Sequence, residues 1–498
     1  MHGCWRSARP GDPDLAVTGM TIARHSHAAW LAAGLGFALM AWALYPGLMS
    51  PDSAEQWLQA RTGRYTSVHP ALMAWTWSWM EQLFPGPGGL FLLHLALFWG
   101  ALAWLARELF ARPLPQVLLV LLVGLWPPVT VVVAHLWKDV PMLGFILLAV
   151  AALARVLRLE RPGRCQPDPK SHAAAGADDG STKPKTLAQR WPSWPRLLLA
   201  LAALTLACAY RHNALPLVLP MLWFIAGRRQ PALAWPQRAL LGAGMAVLVA
   251  VLASLPNRLP QVEQRPVWPL TALWDLASVS IDQGQMLIPA EWRFDDLTLA
   301  ELEAAFQPWT NTTIFATNKI LITLYVTPTP AQSAQLRQAW LAMLREYPLS
   351  YARHRWRLTR TLLDGAGDRG PAELRFQAAW FQHPDNPPLA RRQPALQQAW
   401  ARLGQRLSGS AMFFAWPYLL AGAVITVIAW RQPRRHPLLP VLLASAALSV
   451  APLPLVAPGA EFRYLVWPLV ACLIAALLCW PRSHVAHISN QSLTQRPV

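Results

Sequence analysis

Charge is scarce in this chain, and acidic charge most of all. Only 14% of the 498 residues are charged, with 25 Asp and Glu against 43 Lys and Arg. Soluble domains carry about 25% charged residues, so a free-standing water-soluble globule is excluded. Cysteine is scarce too. The five are Cys4, Cys165, Cys208, Cys472 and Cys479. No CxxC occurs, so neither a zinc site nor a disulfide framework is expected. The polar stretches lack any sustained apolar–polar alternation, which argues against sheet. The formal charge of +18 comes without the basic runs and interleaved aromatics of a nucleic-acid surface. No nucleic-acid partner is expected.

What the chain has is apolar. It is 54% hydrophobic, its mean hydropathy is +0.27, and it holds 27 Trp. Most of the surplus Arg sits in short loops beside apolar spans, as the positive-inside bias places it. The expected fold class is an all-α polytopic membrane protein with about ten transmembrane segments and a mostly helical extracytoplasmic domain.

Residues 1–27 read as a disordered cytoplasmic lead in which Met20 offers an alternative start. The first apolar span has no convincing cleavage site and is read as retained. The amino-terminal membrane domain covers 28–256, with an outer loop at 50–89 and a basic, low-complexity cytoplasmic linker at 158–195. Its helices are expected near Ala28–Met49, Leu90–Phe110, Leu114–Ala134 and Met142–Leu157, with Pro70–Leu83 a short interfacial helix carrying Trp75, Trp77 and Trp79 as belt residues. Leu197–Ala226 is long for one span. One crossing would leave Arg228, Arg229 and Arg238 outside, so two short helices turning at Arg211–Asn213 are preferred, followed by Ala239–Leu255. Residues 257–410 form the extracytoplasmic domain. Within it, Tyr351–Leu363 reads as an interfacial basic helix with Arg353, Arg355, Arg357 and Arg360. Residues 411–481 return as membrane helices, and 482–498 form a cytoplasmic tail. The amino terminus is placed in the cytoplasm.

This parity puts five polar stretches on one side: Asp52–His69, His135–Asp139, Arg211–Asn213, the large loop and Glu461–Tyr464. Ionisable residues at membrane edges are costly and point to function. Asp52 reads either as an acid or base or as the cap of a helix beginning at Ser53. Glu55 lies one helical turn away. His69 precedes Pro70 and marks a helix start or a site. Lys138 and Asp139 form a solvated turn or a binding pair. Arg211, with His212 and Asn213, interrupts an apolar stretch. Arg463 and Tyr464 have Glu461 as a neutralising neighbour.

In order, PDSAEQ, YTSVHP, WKDVP, RHNALP and EFRYLVWP across residues 28–480 resemble bacterial multi-span glycosyltransferases of the GT-C class. The resemblance implies a bacterial inner-membrane enzyme. It would move a hexosyl or pentosyl group from a polyprenyl-phosphate carrier to an acceptor glycan, lipid or protein on the outer face. It also implies Asp52 as the catalytic carboxylate, although no strict DxD element is present. Lys138, Arg211 and Arg463 are then the phosphate cations. Glu55, His69, Asp139, His212, Asn213 and Tyr464 complete the substrate-binding set. No cofactor is expected, and a divalent cation is left open. The alternatives are a transporter or flippase of a lipid-linked or anionic substrate, or a non-catalytic membrane assembly factor.

Overall fold

The structure, a computed structural model, describes residues 27–160, 194–229, 233–322, 326–363, 374–378, 380–389, 394–431 and 436–479. The expected lead and tail, and nearly all of the linker, lie outside the described residues. Helices dominate. Five are long and apolar enough to cross a bilayer: Gly88–Leu109, Asp139–Leu159, Trp235–Arg258, Leu438–Val456 and Phe462–Cys479. A sixth span arises if Pro113–Gly124 and Pro127–Val133 are counted as one bent crossing, and Ala28–Leu44, Trp194–Tyr210 and Ala415–Trp430 are apolar but shorter. Large apolar side chains line the outside of this bundle; Leu240 is 76% and Trp430 89% exposed. The chain is therefore a multi-pass membrane protein.

In chain order the elements are α1 (Ala28–Leu44), α2 (Pro51–Thr62), α3 (Ala71–Leu83), α4 (Gly88–Leu109), α5 (Pro113–Gly124), α6 (Pro127–Val133) and α7 (Asp139–Glu160). The sequence reading treats α5 and α6 as one straight helix, but they are bent by 63°. Pro127 and Pro128 follow Trp126, and proline disfavours helical geometry in the residue before it. The bend carries the chain to Leu48, whose N–H donates to Ala134 O at 2.8 Å while its carbonyl accepts from Leu136 N at 3.0 Å.

α2 is the polar helix beside the membrane. Its cap is Ser50, whose Oγ accepts from Ser53 N at 3.3 Å and from Trp137 Nε1 at 3.0 Å. Asp52 is thus already helical, and the expectation that it caps a helix starting at Ser53 is corrected. A Ser cap is worth about 0.5–2 kcal/mol. Ser50→Ala should lower stability by that amount in detergent unfolding curves, with Trp137 fluorescence reporting the lost contact. On α3, Trp75 and Trp79 are exposed as belt residues should be, but Trp77 is fully buried and stacks on Trp57. Residues two apart on a helix face opposite ways, so all three Trp cannot share one surface.

The next elements are α8 (Trp194–Tyr210), α9 (Leu215–Arg229) and α10 (Trp235–Ser254). A short 3-10 turn at His212–Ala214 separates α8 from α9. The turn faces the polar end of the bundle: Arg211 lies over the Tyr464 ring at 5.1 Å. α9 packs against the span that carries Ser445, whose Oγ accepts from Trp467 Nε1 at 2.8 Å and donates to Leu217 O at 2.5 Å. This supports the two-helix reading. At the far ends of α4 and α7, Arg155 and Arg158 meet the Glu108 carboxylate, and Arg158 Nη1 also donates to Arg107 O at 2.8 Å.

The remaining helices are α11 (Trp268–Gln283), α12 (Leu299–Ala305), α13 (Pro330–Glu346), α14 (Pro348–Leu363), α15 (Ala395–Leu407), α16 (Ala415–Trp430), α17 (Leu438–Val450), α18 (Leu453–Val456) and α19 (Val466–Cys479). α11 to α14 make a helical layer whose core includes the buried Trp274 and Trp292. It is joined to the first polar loop by a two-residue parallel pair, β1 (Tyr65–Thr66) with β2 (Val262–Glu263). The basic run on α14 is not one membrane-facing surface. Arg355 is buried against Asp275 at 2.7 Å, with His354 Nε2 3.2 Å from the same carboxylate. An Arg at this position is retained by an internal counter-charge, which position along the helix does not reveal.

Candidate active site

Four separated polar stretches meet at one end of the bundle. α2 brings Asp52 and Glu55, the loop before α3 brings His69, the turn before α7 brings Lys138, and the 3-10 turn Phe462–Leu465 before α19 brings Arg463 and Tyr464. These six line a cavity of about 920 Å³ between the bundle end and the helical layer. Trp268 and Trp340 of that layer form part of its roof. Such a volume suits a drug-sized or sugar-sized molecule.

At the floor, Asp52 Oδ2 accepts from Arg463 Nη1 at 2.9 Å, and the carboxylate stays 31% exposed. Arg463 is held on its other side by Glu461, which contacts its Nε, and it lies 5.1 Å over the Trp137 ring. Lys138 Nζ donates to His69 Nδ1 at 2.7 Å. That bond leaves the His69 proton on Nε2, 3.8 Å from Asp52 Oδ1. Burial pushes the Asp52 carboxyl up, but Arg463 and then its other basic neighbours outweigh it and hold Asp52 well below the usual carboxylate range. Burial and then Lys138 lower His69 to about 3, against the opposing pull of Asp52. His69 is therefore a neutral imidazole at neutral pH. Burial lowers Lys138 to about 8, with Asp52 pulling the other way.

Asp139, Arg211, His212 and Asn213 do not line the cavity. Asp139 and Arg211 pair with each other behind the floor, the former fully buried and the latter 5% exposed. Arg211 Nε donates to Asn213 Oδ1 at 2.7 Å. His212 Nε2 meets Asn257 Nδ2 at 2.7 Å, and Asn257 Oδ1 accepts from Ala71 N at 2.7 Å. This layer ties α7, α8, α3 and α10 together beneath the site. Arg211 lies 5.1 Å over the ring of Tyr464, which lines the cavity.

Sequence reasoning missed His383. The segment 380–389 is pinned to α2: Phe381 N donates to Met49 O at 2.9 Å and Asn386 Nδ2 to Ala54 O at 2.8 Å. His383 thereby reaches the cavity beside Glu55. No periodicity marks this stretch, so only the chain's path reveals it. Among the described residues no group of three or more His, Cys, Asp or Glu side chains is placed to hold a metal ion.

Compared with family models, with curated proteins and with solved structures, the chain matches none.

Proposed function

We propose that this protein is a membrane glycosyltransferase. It takes a sugar from a polyprenyl-phosphate-linked donor and passes it to an acceptor hydroxyl at the extracytoplasmic face, with about ten segments crossing the bacterial inner membrane and the amino terminus in the cytoplasm. The observation that carries this reading is the floor of the cavity, where the partly exposed carboxylate of Asp52 lies beside the cations Lys138 and Arg463 in a sugar-sized chamber. Apolar Leu455 and Val456, 61% and 56% exposed, line the same cavity at the end of a candidate span. They offer a lipid tail a side entry.

The chemistry follows from the charges. Asp52 takes the proton from the acceptor hydroxyl. The acceptor oxygen forms a bond to the anomeric carbon as the bond from that carbon to the phosphate oxygen breaks. The electron pair stays on the phosphate, where Lys138 and Arg463 meet it. Before donor binds, however, Asp52 is a poor base because Arg463 holds it. An arriving phosphate competes for that guanidinium, relaxes its hold on Asp52 and raises the carboxyl toward a useful range. Donor binding thus readies the base. Arg211 is absent from this account because it lies behind the floor with Asp139 and does not line the cavity.

The test is reconstitution in liposomes with synthetic polyprenyl-phosphate hexoses and pentoses. A new glycosidic bond on an added acceptor supports the reading. Movement of donor across the bilayer without a new bond supports a transporter instead.

A pH effect follows from Lys138. Its charge is present below pH of about 8 and lost above it. Donor KM should rise as pH passes 8, and Lys138→Arg should remove that rise by keeping the charge. A donor KM flat to pH 10 in the parent protein would show that Lys138 does not bind the phosphate.

A further inference from the structure

Asp52 and Glu55 stand three residues apart on α2 and face the same cavity. Each has a histidine opposite. His69 Nε2 is 3.8 Å from Asp52 Oδ1, and His383 Nε2 is 3.7 Å from Glu55 Oε2. In both histidines the other nitrogen is already taken. His69 Nδ1 accepts from Lys138 Nζ at 2.7 Å, and His383 Nδ1 accepts from Asp385 N at 3.2 Å. Both rings therefore turn an Nε2–H toward a carboxylate across a gap too long for a direct hydrogen bond. A hydroxyl oxygen set to one side of such a pair, about 2.8 Å from each atom, can bridge it, accepting from the imidazole and donating to the carboxylate.

We infer that Glu55 and His383 form a second hydroxyl-binding site beside the reacting one, so that the acceptor is a polyol gripped at two hydroxyls. The inference rests on the transferase reading above. Three residues of helix separate the two sites by about 4.5 Å along the axis, which suits hydroxyls on different carbons of one sugar ring. The two sites differ in charge. Lys138 and Arg463 flank the first, whereas Glu55, among the described residues, pairs with His383 and with the amide of Gln59, which donates to its Oε1 at 3.3 Å. An anion is met at the first site and a neutral hydroxyl at the second. The segment carrying His383 is held by its own anchors, Asn386 to Ala54 O and Arg61 Nη1 to Asp385 O at 3.2 Å. The ring is placed without help from Glu55, so replacing either residue leaves the anchors in place.

The experiment uses the full chain in liposomes, synthetic polyprenyl-phosphate hexoses and pentoses as donors, and methyl hexopyranosides with their monodeoxy derivatives as acceptors. The parent protein should lose about tenfold in kcat/KM when one particular hydroxyl besides the reacting one is missing. His383→Ala and Glu55→Gln should raise the acceptor KM about tenfold, move the donor KM by less than twofold, and lose nothing more on that same deoxy acceptor. His383→Gln keeps an amide donor and should recover part of the loss, with unfolding temperatures confirming intact protein. Variants that keep the parent's full sensitivity to the missing hydroxyl overturn the second site and leave the transferase reading standing. An equal rise in donor KM does the same. A parent protein that glycosylates none of these acceptors from any donor overturns both.

Discussion

Asp52→Asn is expected to cut sugar transfer by a factor of about 100 to 10,000, the usual contribution of a positioned general base. Asparagine keeps the size of the side chain and leaves an oxygen for Arg463 Nη1, now 2.9 Å from Asp52 Oδ2. Glu461 still holds the other side of Arg463. The fold and the donor site should therefore survive, with the unfolding temperature little changed and the donor KM no higher, since Arg463 is freer to meet the phosphate, while kcat collapses. An effect confined to kcat marks an interaction made in the transition state. Unchanged transfer at normal protein levels would remove Asp52 from the mechanism. The prediction separates two roles that coexist in the first turn of α2. Ser50 does the capping, so a loss at Asp52 cannot be blamed on an uncapped helix.

The second large effect concerns Arg211. Arg211→Met should destabilise the protein by about 3–5 kcal/mol, because it strands the fully buried Asp139 without its partner. The double replacement Asp139→Leu with Arg211→Met should restore most of that loss, since an apolar pair of similar volume can replace a buried ion pair at little cost. Unfolding in detergent measures both. Transfer activity then distinguishes the roles. If Arg211 only holds α7 to the turn before α9, the double variant transfers sugar with an unchanged donor KM. If Arg211 bound the donor phosphate, the double variant would be stable and would bind donor poorly. A double variant no more stable than Arg211→Met alone would show that other groups hold that turn.

These two residues show how unevenly the site was legible. Asp52 and Arg463 are far apart in the chain and were both singled out, because charge at a membrane edge is expensive anywhere and stands out against an apolar background. The same argument singles out Arg211, which the structure places behind the floor, paired with Asp139. Cost alone cannot tell a cation kept for a ligand from one kept for a neighbouring carboxylate. Asp139 was in view, but adjacent to Lys138, and adjacency suggested that those two belonged together. The start of α7 parts them, sending Asp139 behind the floor and leaving Lys138 in the cavity. Arg355 repeats the lesson on α14, where a row of Arg that reads as a surface hides one residue inside a cluster with Asp275. His383 was not legible at all. Its neighbours carry no pattern, and its position depends on where a segment more than 300 residues after α2 happens to be pinned.

By itself the sequence determined that the chain is helical and membrane-embedded, and roughly where most helices begin and end. Those properties are local: a run of apolar residues must hide its own backbone polar groups in lipid, whatever the rest of the chain does. It also predicts that the polar turns share one end of the bundle, because each crossing reverses the side. Tertiary structure alone decided which of those polar groups face the cavity and which neutralise one another beneath it. That choice is made by distances between residues far apart in the chain, and over such distances a charge is defined by its partner as much as by its type.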